Sequence, residues 1–301
     1  MLNKFLVEMA ITQLPTERSK ITSYNPSLVV LYGVPKCGKS TLMAHLEDNL
    51  ILDFEDGYRA LSVMKVQVRT AQDLFQVKKL LAAKAKELNK VPYKFITMDN
   101  ATRLEEMCLT YAAHLYRQTP MGMRWKMIEY VDPKTKQKLE KPDPNADVRQ
   151  LPNGAGWGYI RDAIKELVNM FKPYCETLIL VGHVKDKMIK KEGEEISEMQ
   201  LDLAGKSSTI ICGEADAIGL IYRKGNSTFM SFENSGVATN EARPLHLRGR
   251  KFEVIKSDGQ GHMKVDLSEV FPDTDTLEKM TQEALAIQSA PLSEETSKDK
   301  E

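Results

Sequence analysis

Leu28-Val29-Val30-Leu31-Tyr32 runs straight into Gly33-Val34-Pro35-Lys36-Cys37-Gly38-Lys39-Ser40, and Thr41-Leu42-Met43-Ala44-His45-Leu46 continues with helical spacing. An apolar run that turns through G-x-x-x-x-G-K-S into a helix reads as a strand, a phosphate-binding loop and a helix N-terminus. Glycines at 33 and 38 let the backbone curl and aim successive N–H groups at phosphate oxygens, and the helix adds the positive end of its dipole. On this reading Lys39 reaches the β- and γ-phosphates, the Ser40 hydroxyl ligates Mg²⁺ and Thr41 touches the α-phosphate. Gly33, Val34, Pro35, Lys36, Cys37, Gly38, Lys39, Ser40 and Thr41 are therefore the expected nucleotide-binding set. The expected ligands are a nucleoside triphosphate, ATP, and Mg²⁺.

At 301 residues the chain is long enough for one large α/β domain with a tail, or for two small domains. Its 42% hydrophobic and 28% charged residues are the balance of a soluble globular protein. No apolar stretch reaches membrane-spanning length, and Lys4 and Glu8 interrupt the start, so neither a membrane span nor a secretion signal is read. A cytoplasmic location is expected. Cys37, Cys108, Cys175 and Cys212 form no C-x-x-C pair, which argues against a zinc site or a disulfide scaffold and for reduced thiols. The net charge of zero is unevenly spread: from Pro272 to Glu301 eight acids face three bases, a net of −5 that leaves +5 for residues 1–271. A basic body beside an acidic tail is compatible with a nucleic-acid partner, but a plain solvated terminus is the more common origin of such a tail.

Residues 1–27 read as an N-terminal arm ending at the Asn25-Pro26 turn signal. Strand patterns follow at Leu28 to Tyr32, Leu50 to Asp53, Val63 to Val68, Tyr93 to Met98 and Thr177 to Gly182. Helix patterns alternate with them at Lys39 to Asp48, Asp73 to Leu88, Leu104 to Gln118 and Gly158 to Phe171, with a capping sequence at Thr70 to Asp73. Such alternation predicts an α/β fold with a mainly parallel sheet flanked by helices. Beyond residue 183 the pattern turns to antiparallel hairpins, Asp216 to Tyr222 with Ser227 to Glu233, and Lys251 to Ile255 with His262 to Leu267. From about residue 284 the chain lacks apolar periodicity, and the acidic tail, 272–301, is expected to be largely disordered.

Parallel strands all end on one edge, so Gly33, Glu55, Asp99 and His183 are expected to converge on one crevice. Asp99 closes Phe95-Ile96-Thr97-Met98 and is the expected second anchor for Mg²⁺. Glu55, just past a strand in Asp53-Phe54-Glu55-Asp56-Gly57, is placed to activate a water, with Asp53 and Asp56 as substitutes. His183 closes Leu178-Ile179-Leu180-Val181-Gly182, where it can sense a γ-phosphate. Arg248 and Arg250 are candidates for completing a neighbouring subunit's site. Two long interruptions, Thr119 to Gly156 and Lys185 to Ser208, exceed ordinary connections. The first carries Arg124, Trp125 and Lys126; the second opens with Lys185, Lys187, Lys190 and Lys191. Bases interleaved with aromatics suit single-stranded DNA.

Taken in order, these residues resemble the RecA-like recombinase ATPases, and most closely the compact phage-encoded ATP-binding proteins of the single-strand annealing and recombination type. The resemblance spans Ser27 to Lys251. It rests on Gly33 to Thr41, Leu52 to Gly57, Met98-Asp99-Asn100, Gly182 to Lys187 and Asp216 to Arg223. It implies a RecA-like P-loop core over 28–271, ATP hydrolysis with the acid at Glu55 activating water, and His183 coupling the γ-phosphate to a DNA-binding loop. It also implies a ring or filament of identical subunits, single-stranded DNA and single-strand-binding or replication proteins as partners, and the host cytoplasm if the chain is phage-encoded. Bacterial RecA proteins carry glutamine where His183 stands and serine where Asn100 stands. The other readings are an ATP-gated scaffold for replication or recombination proteins, a nucleotide kinase and a helicase.

Overall fold

The computed structural model describes residues 25–191, 194–234, 236, 238–260 and 262–289. Most of the expected arm, residues 1–24, lies outside them. β1 (Leu28–Gly33) leads through the phosphate loop to α1 (Lys39–Ala44), and β2 (Asn49–Asp53) and β3 (Met64–Gln67) follow. Then come α2 (Ala71–Leu88), β4 (Tyr93–Asp99), α3 (Ala101–Arg117), a small hairpin of β5 (Met127–Val131) and β6 (Lys138–Pro142), and α4 (Gly156–Asn169). β7 (Cys175–Lys191) and β8 (Glu194–Leu201) precede α5 (Ser207–Glu214). The chain continues through β9 (Ala217–Lys224), β10 (Ser227–Ser231), β11 (Glu241–Ala242), β12 (Lys251–Ser257), β13 (Met263–Val265) and α6 (Thr274–Ser289).

The main sheet runs β13-β12-β10-β9-β1-β7-β4-β2-β3, with β11 on β9 and β8 on β7. From β3 through β9 the order is parallel, and β10, β12 and β13 add antiparallel strands. The fold is thus the α/β architecture expected. The register sets Gly33 beside His183, and Asp99 beside both Val181 and Asp53. The strand that carries His183 therefore separates the phosphate loop from the Asp99 strand, and it runs on past His183 instead of ending there as expected.

Alternation builds two cores from one sheet. Leu28, Val30 and Tyr32 pack with Leu74, Leu104 and Ile164 of α2, α3 and α4. Val29 and Leu31 pack on the other face with Leu42 and Met43 of α1 and with Phe232, Leu247 and Val270. Each fully buried aliphatic side chain of this kind contributes about 1.5–3 kcal/mol relative to exposure. Helix starts are set by caps. Thr70 and Asp73 form a reciprocal capping box, so α2 begins at Ala71 rather than Asp73. Asn100 accepts the Arg103 N–H at 3.0 Å and starts α3 three residues before Leu104.

Three regions are more ordered than their sequences suggest. The interruption from Thr119 to Gly156 contains the β5–β6 hairpin, whose base is held by the Arg117 guanidinium donating to the Trp125 carbonyl at 3.0 Å. The second interruption is a continuation of β7, which runs past His183 and returns as β8. The ladder pairs Val184 with Leu201 and Lys187 with Glu198. The tail expected to lose structure at about residue 284 stays helical through Ser289, with Asp273 capping α6 through the Thr276 N–H and Leu277 buried. The rest of the tail, 290–301, lies outside the described residues. Among the described residues no helix is long and apolar enough to cross a membrane.

Candidate functional site

A cleft of about 270 Å³ opens where the parallel strands end. Pro35, Lys36, Gly38, Lys39, Ser40, Thr41, Asp53, Glu55, Tyr58, Asp99, Asn100 and His183 all line it. Gly38, at φ 106°, lies in the left-handed region that a side chain resists, and it caps α1. Gly33 has a different reason to be glycine: a Cβ there would stand 2.2 Å from the Ile221 carbonyl oxygen. The Lys39 ammonium is buried and donates to the Gly33 and Val34 carbonyls at 2.7 and 2.8 Å. Burial pulls it below the usual lysine range, against the opposing pull of Cys37, Asp99 and Glu55.

Not every loop residue faces the cleft. Gly33, Val34 and Cys37 are absent from its lining, and Cys37 is 2% exposed among the apolar residues behind the loop. Burial pushes its thiol above the ordinary range. All four cysteines are free and buried.

The three acids after β2 divide their tasks by what holds them. Asp53 is buried, accepts the Glu55 and Gly57 N–H groups at 3.3 and 3.1 Å, and pairs with Lys65 at 3.3 Å. It shapes the loop. Asp56 is held by Arg59, which keeps its carboxyl below the usual range. Glu55 remains half exposed in the cleft, with Oε1 accepting from Arg103 Nε at 3.0 Å. Its only described hydrogen bond is to that one oxygen, so the other is the carboxylate oxygen most available to a water.

Asp99 is half-buried at the end of β4, and Tyr58 Oη donates to its Oδ2 at 2.6 Å. Burial raises the Asp99 carboxyl, while the Tyr58 hydrogen bond and Lys39 oppose the rise. Hydrogen bonds to charged acceptors are worth about 1.5–3 kcal/mol. Burial beside Asp99 also pushes the Tyr58 phenol up, so the proton stays on tyrosine.

Asn100, also buried, uses its carbonyl on Arg103 N–H and so turns its amide toward His183 Nε2 at 3.2 Å. That assignment makes Nε2 the acceptor and puts the ring proton on Nδ1, a buried atom without a hydrogen-bond partner among the described residues. Any donation from His183 to a phosphate in this arrangement comes from Nδ1.

Other expected residues are engaged elsewhere. Arg248 donates to the Ala242 and Arg243 carbonyls at 3.3 and 2.9 Å. Arg250 reaches the His246 carbonyl and Glu269, each at 3.0 Å, and lies over the Phe252 ring. Both stand at the sheet edge away from the phosphate loop, tied into their own subunit. Trp125 is half-buried, edge-on to Tyr116 at 5.3 Å with the Arg117 guanidinium over its ring, so its faces are used in packing rather than offered to bases. Arg124 is exposed and forks onto Glu140 at 2.9 Å, and Lys126 is exposed. Lys185 is tied to the Leu203 carbonyl and lies 3.7 Å from Asp202, while Lys187 is exposed. The side chains of Lys190 and Lys191 lie outside those described. Sequence reasoning missed Tyr58 and Arg103; the only local signal for Tyr58 is its place directly after the Asp56-Gly57 turn.

The donor set suits Mg²⁺ and a triphosphate. Mg²⁺ takes hard oxygen ligands and is usually held by one or two carboxylates with substrate phosphates supplying the rest. Ser40 and Asp99 offer a hydroxyl and a half-buried carboxylate in the same cleft, and no cluster of three or more ligating His, Cys, Asp or Glu occurs among the described residues.

Comparison with known proteins adds the family. Among solved structures the chain is similar to the RadB recombinase, at 10% identity over 80% of this chain and 92% of that one, with a TM-score of 0.39. It is also similar to a KaiC-like protein from the hyperthermophilic archaeon Pyrococcus horikoshii, at 11% identity over 81% and 90%, again at 0.39. Scores at that level carry no argument. No curated protein matches. The AAA domain family does match, over residues 25–120 and 124–243, segments that make up more than half of the chain and contain every residue lining the cleft. The chain belongs to the AAA domain family and is an ATPase of the P-loop type.

Proposed function

We propose that this chain is a Mg²⁺-dependent ATPase that binds single-stranded DNA and promotes recombination or strand annealing. One observation carries the catalytic part: Lys39, Ser40, Glu55, Asp99 and His183 line a single cleft. In this reading the loop N–H groups and Lys39 hold the β- and γ-phosphates, and Glu55 takes the proton of the water that attacks the γ-phosphorus. Ser40 and Asp99 hold Mg²⁺, which when bound offsets charge on the phosphate oxygens. His183, which lines the cleft beside Asn100, registers the γ-phosphate and passes its loss along β7.

The DNA part draws on charge. Residues 124–141, which include β5 and β6, carry six bases against three acids. Residues 185–201, which include β8, carry four bases against five acids. The β5–β6 hairpin is therefore the better electrostatic match to a phosphate backbone. The β7–β8 hairpin favours the second reading for its own surface, an ATP-gated protein contact, because it is charge-balanced and exposes Met188.

The test is ATP turnover with and without single-stranded DNA, combined with DNA binding across a salt series. Replacing Lys134, Lys136, Lys138 and Lys141 by alanine should leave basal turnover intact and weaken DNA binding, with each lost phosphate contact removing about 0.7 from the log–log salt slope. Unchanged affinity and slope remove DNA from the hairpin. Turnover indifferent to DNA in the unmodified protein leaves the scaffold reading, for which Glu55→Gln would retain biological activity.

A further inference from the structure

One buried side chain in the cleft belongs to none of the roles above. Tyr58 is 1% exposed, in the short connection between β2 and β3, and its ring sits in the core with Leu42 and Met43 of α1. Its backbone carbonyl accepts the Leu61 N–H at 3.3 Å. Its phenol donates to Asp99 Oδ2 at 2.6 Å, and Ser40 lines the same cleft. A single tyrosine oxygen thus holds one of the two side chains that offer hard oxygens to a cation, and lines the cleft with the other.

The consequences follow from geometry. A carboxylate on a rotatable side chain presents either oxygen to a ligand, and fixing one of them aims the other. With Oδ2 taken by Tyr58, Oδ1 is the Asp99 oxygen left for the cleft. The ring cannot follow a ligand, because it is packed on the core that carries α1, the helix that Ser40 helps to open. A hydroxyl in such a place is costly unless it is hydrogen-bonded, and here its bond goes to one of the two groups whose mutual position matters. Partners that orient ligating groups in this way commonly change metal affinity by about 10–100-fold when removed.

We propose that Tyr58 is a positioning residue for the divalent cation of the nucleotide site, its hydroxyl setting the orientation of Asp99 relative to Ser40. This rests on the reading of Ser40 and Asp99 as the metal side of the cleft. Phosphate contacts made by the loop backbone and Lys39 are outside its reach, so nucleotide affinity without metal and metal dependence separate.

The test uses the full chain, ATP and Mg²⁺. Tyr58→Phe keeps the ring and removes the hydroxyl. The expected result is a Mg²⁺ concentration for half-maximal enhancement of ATP binding raised at least about 10-fold, with ATP affinity in chelator unchanged. In an Asp99→Asn background the same substitution should add nothing, since its effect passes through that carboxylate. An unchanged Mg²⁺ midpoint overturns the proposal, and so does an equal loss of affinity with and without metal, which marks a packing role. Fluorotyrosine at position 58 gives a readout that does not depend on Tyr58→Phe folding. Its fluorine resonance should move when Mg²⁺ is added to the ATP complex, and an unmoved resonance overturns the proposal. If ATP affinity of the unmodified protein ignores Mg²⁺, the assignment of Ser40 and Asp99 falls first and the proposal falls with it.

Discussion

Asp216 and Asp99 are both carboxylates at the ends of parallel strands, one where β9 begins and the other where β4 stops. Asp216 spends both oxygens on its own chain. Oδ2 accepts the Ser27 and Leu28 N–H groups at 2.7 and 3.3 Å, and Oδ1 accepts from Arg243 at 3.3 Å. Arg243 and Arg248 complete that edge by donating to the carbonyls of Gly213, Ala242 and Arg243. Asp99 gives one oxygen to Tyr58 and lines an open cleft with Lys39, Glu55 and His183. The same residue types stabilise the fold where their bonding capacity is spent locally and serve a ligand where part of it is kept.

The comparison predicts large chemical effects at one edge and effects on stability, or none, at the other. The largest is Lys39→Ala, which should reduce ATP turnover by about 10³-fold or abolish it, because the phosphates lose the buried cation of the loop, leaving backbone dipoles and the exposed Lys36. Nucleotide binding and steady-state turnover measure it. Glu55→Gln comes next, with ATP binding retained and hydrolysis slowed at least about 10²-fold. Normal hydrolysis would move the base to Asp53 or Asp56, despite the partners that engage both.

Asp216→Ala should behave in the opposite way. Leaving the Ser27 and Leu28 N–H groups without their acceptor should cost about 1–3 kcal/mol in denaturant unfolding, while turnover per folded molecule stays the same. A fall in turnover without a fall in stability would break the distinction between the edges. Arg248→Ala sharpens it further: with its guanidinium committed to two carbonyls, turnover should change by no more than about threefold, whereas loss of an arginine acting in a neighbour's site costs about 10³-fold or more. The smallest effect concerns Cys37. Because its thiol is buried behind the loop and pushed up by that burial, alkylation of the native protein should be slow and equally slow with and without ATP. Protection by ATP would show that the thiol reaches the cleft.

The phosphate loop, the strand ends at Asp53 and Asp99 and the α/β class were legible in the chain because each depends on short-range pattern: apolar alternation, glycine at positions that must curl or admit a carbonyl, and an acid at the end of a strand. Asn100 and Thr70 were within reach of capping rules, and they moved two helix starts by only a few residues. The basic segment after His183 was not legible in the same way. It reads as a loop with a free cationic patch until the register makes it a strand, with Lys187 across from Glu198 and Lys185 tied to the Leu203 carbonyl. Trp125 likewise looks like a base-stacking aromatic until Tyr116 and Arg117 close on it.

From the sequence alone came the phosphate loop with its cation and hydroxyl, because those residues are neighbours along the backbone and their geometry is local. The tertiary structure decided which acid after β2 keeps an oxygen for the cleft, which way Cys37 faces and that Tyr58 meets Asp99 across 41 positions of chain. Those outcomes depend on strand register and on what fills the space beside each side chain, and packing brings residues together without leaving a spacing rule in the sequence.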